Sequence, residues 1–122
     1  MLEEFEPKEG DLVRVQLKGS TGYPRDYMLV IWPKKELIPE RFKHWYVSNS
    51  NFVGYVYMPC TFVINLNGRY SDNGFGLSEG DKLVRPTVSD MIEISMVLRE
   101  YNMRYNRKTK QLIRLNNNES NR

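Results

Sequence analysis

The apolar residues of this chain change period at Pro86, and that change limits the folds open to it. Before Pro86 they recur at every second residue in short runs, whereas after it they recur at helical spacing through one segment. In GDLVRVQLKG, Val13, Val15 and Leu17 alternate with Arg14, Gln16 and Lys18, the pattern of a strand with one buried face. YMLVIW, residues 27–32, is apolar on both faces and predicts a more central strand that stops at Pro33. FVGYVYM (52–58) puts Val53, Tyr55 and Tyr57 on one face with Val56 and Met58 on the other, and TFVINL (61–66) aligns Phe62, Ile64 and Leu66. NGRYSDNGFGLSEGD reads as a turn-rich loop, and KLVR as a short strand before Pro86. Between these runs, PKKELIPERFKHWYVSNSN carries two prolines, and a short helical turn starting at Pro39 is expected there.

After Pro86, Met91, Ile94, Leu98 and Tyr101 form one stripe of an amphipathic helix, widened by Val97. Thr87 with Asp90, or Ser89 alone, can accept hydrogen bonds from first-turn amides, and Asn102 can take the left-handed cap conformation. A strand, an NRKTK turn and a second strand follow.

The expected fold is therefore α+β. A small antiparallel SH3-like or open β-barrel leads into one amphipathic helix and a C-terminal β-hairpin. A chain of 122 residues suits one domain, since two halves would each be too small to bury an adequate core. The boundaries read as a flexible acidic N-terminus (1–9) and a globular domain (10–115), with a disordered tail over 116–122. Within the domain, 10–85 is the β-rich part, 87–102 the helix and 103–115 the hairpin. The tripeptide EGD stands before a strand at both Glu9 and Glu79. Gly-Asp is common turn chemistry and the intervening segments do not match, so a recurring turn is expected in preference to an internal duplication.

The charge distribution is lopsided. Residues 99–114 hold Arg99, Arg104, Arg107, Lys108, Lys110 and Arg114 against Glu100, a net of +5, so the rest of the chain carries −2 of the overall +3. A local excess of this kind is what makes charge informative about a partner.

Chemistry is harder to find. With one histidine, His44, and one cysteine, Cys60, the chain cannot assemble a protein-only zinc site of four Cys/His ligands. A Cys60–His44 nucleophilic pair is conceivable, but a cysteine between Pro59 and an apolar strand more commonly packs as an inert thiol. GSTG joins two predicted strands, not the two helices of a KH domain, and NGFGL lacks the third glycine of a dinucleotide loop. GYVYM lacks the basic lead residue of an RRM strand, and Tyr55 and Tyr57 read as half-buried sheet tyrosines. The carboxylates Glu3, Glu4, Glu6, Glu9 and Asp11 read as solubilising, and Asp72 and Asp81 as turn residues. No catalytic residue, metal or cofactor is implied.

LVRPT, EISMVLREYN and MRYNRKTKQL together resemble a C-terminal pattern of uncharacterised small proteins of gut anaerobes and their phages, in which a VRP entry precedes a capped helix and a Lys-Thr-Lys-type hairpin. The resemblance runs from Val84 to Leu112, less than a quarter of the chain, and departs from the pattern at Asn102, where glycine is usual, and at Tyr105, where tryptophan is common. It implies a phage, mobile-element or accessory context and carries over no catalytic residue.

The function expected from these features is a non-enzymatic binding module. Arg104, Arg107, Lys108, Lys110 and Arg114 would make a weak, sequence-independent nucleic-acid contact, with Tyr101 or Tyr105 available to stack on a base. The alternative is a protein–protein adaptor that uses an aromatic groove formed by Trp32, Trp45, Tyr46 and Tyr57. MLEEFEPKEGD lacks the basic-then-apolar order of a signal peptide, and no run approaches the ~20 apolar residues of a membrane helix. A cytoplasmic location without a membrane partner is expected.

Overall fold

The computed structural model describes residues 3–19, 26–34, 36, 55–58, 63–65, 69–71, 74–78 and 80–115. The strands are β1 (Leu12–Gln16), β2 (Tyr27–Ile31), β3 (Tyr55–Met58), β4 (Val63–Ile64), β5 (Tyr70–Ser71), β6 (Phe75–Ser78) and β7 (Lys82–Val84). Helix α1 (Val88–Glu100) and the pair β8 (Met103–Asn106) and β9 (Gln111–Arg114) complete the chain order. The fold is α+β, with antiparallel sheets, one helix and a C-terminal strand pair, an arrangement compatible with a small barrel-like body.

The main sheet runs β5-β4-β2-β1-β7, so β2 is interior, as its two apolar faces require. Its alternate residues serve two cores. Met28 and Val30 join Val13, Val15, Trp32 and Leu83 against Phe75 and Leu77 of β6, while Leu29 and Ile31 join Leu12 and Ile64 against Ile94 and Leu98 of α1 and Met103 of β8. The sheet is thus a middle layer, with the β3–β6 pair on one side and the helix and hairpin on the other.

This layering revises the reading of β1 as a strand with one buried face. Its helix-facing side buries Leu12 and holds Arg14, whose Nη1 lies 3.1 and 3.2 Å from the two carboxylate oxygens of Asp90. The 67–81 segment is also more than a loop, because it contains β5 and β6. Phe75 and Leu77 alternate with small residues and bury completely, a period-2 signal masked by the surrounding glycines. The acidic N-terminus is not a loose segment either. Phe5 N–H donates to the Leu83 carbonyl at 3.2 Å and Arg85 N–H to the Glu3 carbonyl at 2.7 Å, which covers the outer edge of β7.

The two Gly-Asp pairs sit in the same hydrogen-bond pattern. Asp11 accepts from Lys8 N–H at 2.8 Å and Asp81 from Ser78 N–H at 2.9 Å, each across three residues, while the backbone amide of each aspartate donates back to Lys8 or Ser78. The glycine between sits at φ +86° for Gly10 and +95° for Gly80, where a side chain is disfavoured. Local turn chemistry accounts for the recurrence.

Helix α1 opens on a complete capping box. Asp90 N–H donates to Thr87 Oγ1 at 3.1 Å, and Thr87 N–H donates to Asp90 Oδ2 at 2.8 Å. Ile94 and Leu98 are buried as the stripe requires, and Asn102 adopts φ 58° to end the helix and turn the chain into β8. Tyr101, the last expected member of the stripe, falls past the helix end and packs edge-on to Tyr70 with ring centroids 4.8 Å apart.

Candidate functional site between the helix and the hairpin

The register of β8 and β9 decides where the hairpin's charges go. Met103 pairs with Arg114, Arg104 with Ile113, Tyr105 with Leu112 and Asn106 with Gln111, and partners across an antiparallel pair share a face. Met103, Tyr105 and Leu112 pack on the helix-side core, so Arg104 points outward while Arg114 leaves on the opposite, inner face. The five expected cations therefore do not form one surface. Lys110 is also withdrawn, because its Nζ lies 2.7 Å from Asp11 Oδ1.

The turn explains that withdrawal. Asn106 Oδ1 accepts from Lys108 N–H at 2.9 Å and Thr109 N–H at 3.2 Å, an Asx-type turn that leaves Arg107 and Lys108 exposed at the tip. Lys110 then closes the loop at φ 57°, a conformation disfavoured by about 1–2 kcal/mol for a residue with a Cβ. Its backbone sits against Gly10 and its ammonium against Asp11, so the strained residue is held where the hairpin meets the body.

Tyr105 makes the other half of that junction. Its hydroxyl donates to the Gly10 carbonyl. Burial pushes the phenol above its ordinary value of 10.0 and the Asp11 carboxylate adds to the rise, while the Arg107 guanidinium and the Leu12 amide oppose it. In the folded state the phenol thus keeps its proton to a higher pH than in the unfolded chain. Its contribution to stability is complete below about pH 10 and is lost as pH rises through the folded-state value. Denaturation midpoints measured from pH 8 to 11 should show this alkaline decline, and Tyr105→Phe should flatten it, costing about 1 kcal/mol below about pH 10 for the lost hydrogen bond and less as the pH rises further. An equally steep decline in the variant would assign the effect to another group.

Between α1 and the hairpin lies a cleft of about 360 Å³. Met91, Ile94, Leu98, Met103 and Leu115 give it an apolar interior, and Arg99, Arg104 and Arg107 border it. Among the described lining residues there is no carboxylate. A second, more polar cavity of about 240 Å³ shares Met91, Tyr105 and Arg107 with the first and continues toward Lys110 and Arg85. Arg85 is already occupied by Glu3 at 2.8 Å and stacks on Phe5.

Three of the expected cations, Arg104, Arg107 and Lys108, thus remain exposed near one another, and Arg99 joins them. Arg99 was legible as charge but not as part of the site. Its signal is the four-residue spacing Met91, Ser95, Arg99, a ridge running beside the buried stripe on the hairpin side.

The expected aromatic groove does not assemble from Trp32, which is 2% exposed and packs on Phe75 at 5.7 Å between centroids. Tyr57 is 47% exposed on β3, more open than the half-buried tyrosine expected there. Trp45, Tyr46, His44, Cys60, Asp72 and the turn at Pro39 lie outside the described residues. Among the described residues no cluster of His, Cys, Asp or Glu could hold a metal ion, and no helix is long and apolar enough to cross a membrane. The chain matches no protein-family model, no curated protein and no solved structure.

Proposed function

We propose that the protein is a non-enzymatic binding module that engages a polyanionic chain, the phosphate backbone of a nucleic acid, at the end formed by α1 and the hairpin. The observation that carries this reading is the grouping of Arg99, Arg104 and Arg107 around one cleft with no carboxylate among its described lining residues. Lys108 at the exposed turn adds a fourth cation. Arginine suits such a task because its planar fork matches phosphate oxygens, and among the described residues none of these four is drawn into an ion pair in the way Lys110 is.

Four phosphate contacts give weak binding that is indifferent to sequence. Affinity for a labelled oligonucleotide should fall roughly a hundredfold between 50 and 200 mM salt. Arg104→Glu/Arg107→Glu should abolish it at the lower salt, whereas Arg114→Glu, on the other face of the hairpin, should weaken it far less. A fluorescence titration decides the matter. Binding that ignores salt, or that falls equally in both variants, would remove the reading. The adaptor alternative keeps Tyr57 as an exposed ring but loses Trp32 to the core, so it has less to stand on. The mobile-element context implied by the C-terminal resemblance is compatible with an accessory nucleic-acid contact.

A further inference from the structure

We propose that the cleft between α1 and the hairpin receives one unstacked nucleobase, which makes the site selective for single strands. This rests on the polyanion reading above and adds what phosphate contacts alone do not supply, a reason for the cavity beneath the arginines.

Phosphate binding needs a cationic surface and no hole. Here the hole is about 360 Å³, in the range of small-ligand pockets, and its interior is apolar while its border is cationic. That combination fits a ligand with an uncharged planar body flanked by anions. A nucleotide within a strand has this form, since its base can enter an apolar cavity while the phosphates on either side stay at the rim. Met91 and Met103 offer polarizable sulfur, favourable against the face or edge of a ring, and the Arg104 and Arg107 guanidinium planes can lie on a base as well as bind phosphate. A duplex cannot use the cleft without unpairing and unstacking a base.

Ser95 is exposed and lines the cleft, so Ser95→Trp should fill it while every rim cation and every residue of the buried stripe is retained. The test uses three DNA probes of equal length and charge per strand: an intact single strand, its duplex, and a single strand whose bases are replaced by abasic sites. The intact strand should bind about tenfold more tightly than the abasic one at each salt concentration, with the same salt slope. Ser95→Trp, with unchanged far-ultraviolet circular dichroism, should bring the intact strand down to the abasic level and leave the abasic strand unaffected. Equal affinities for intact and abasic strands, or an intact strand insensitive to Ser95→Trp, would overturn the base-binding proposal while leaving the polyanion reading in place. Displacement of the strand by decanoate, with decanoate binding lost in Ser95→Trp, would assign the cleft to an amphiphilic carboxylate and overturn it as well. Failure of every probe to bind at low salt would overturn both.

Discussion

Asp90→Ala is expected to destabilise the protein by about 3–5 kcal/mol, as removal of one member of a buried ion pair does. Asp90 is the buried charged residue among those described, with a side chain 2% exposed beside an Arg14 side chain 16% exposed. It serves two structures at once, because its carboxylate holds the Arg14 guanidinium and accepts from the Thr87 amide that opens α1. Arg14 keeps part of its support without it, through Gln16 at 3.1 Å and the Tyr27 ring 3.7 Å from its central carbon, which argues for the lower end of the range. Urea denaturation of Asp90→Ala, Arg14→Met and the double variant would measure the coupling. The double variant should lose clearly less than the two single losses added together, since each single change strands the other group. Additive losses, or a single loss under about 1 kcal/mol, would place this pair with ordinary surface ion pairs.

Gly10→Ala is the second large effect, at about 2 kcal/mol or more. An alanine at φ +86° is disfavoured by roughly 1–2 kcal/mol before any contact is counted. Its Cβ would then stand 2.7 Å from the Lys110 carbonyl oxygen and 2.9 Å from the Lys110 Cβ, so the hairpin turn must move. That movement strains the Tyr105 hydroxyl contact with the Gly10 carbonyl and the Lys110–Asp11 pair together. The Tyr105 phenol should accordingly titrate closer to its ordinary 10.0 in this variant, which difference absorbance against Tyr105→Phe would detect. Gly19→Ala is the control. Gly19 has φ +69°, and an added methyl there would meet nothing within 4 Å, so only the conformational penalty of about 1 kcal/mol applies. Equal losses at the two glycines would show that the hairpin yields freely at this junction.

Periodicity revealed more of the fold than of the site. The α1 stripe, its Thr87–Asp90 cap, the Asn102 turn and the interior character of β2 all follow from local rules about spacing and backbone preference. What local rules could not supply was the second occupant of a face. Arg14 reads as an outward polar residue in a strand, and Asp90 reads as a cap. Their meeting across 76 residues depends on the helix lying over β1. The same limit applies to the cations. Composition counts six basic side chains over residues 99–114, but the hairpin register sends Arg104 and Arg114 to opposite faces, and a distant Asp11 removes Lys110. The β6 strand was hidden for a different reason, since two core residues among glycines give too short an alternation to stand out from turn chemistry.

The seam joining residues 10 and 11 to residues 105 and 110 also bears on the order of assembly. A contact spanning 95 positions cannot form until residue 105 has left the ribosome, whereas β1 and β2 can pair earlier. The hairpin wall of the cleft is therefore tied to the body by contacts that form after the first sheet pairing. A chain clipped by a protease before Tyr105 keeps the residues of the main sheet and loses the hairpin that walls the cleft.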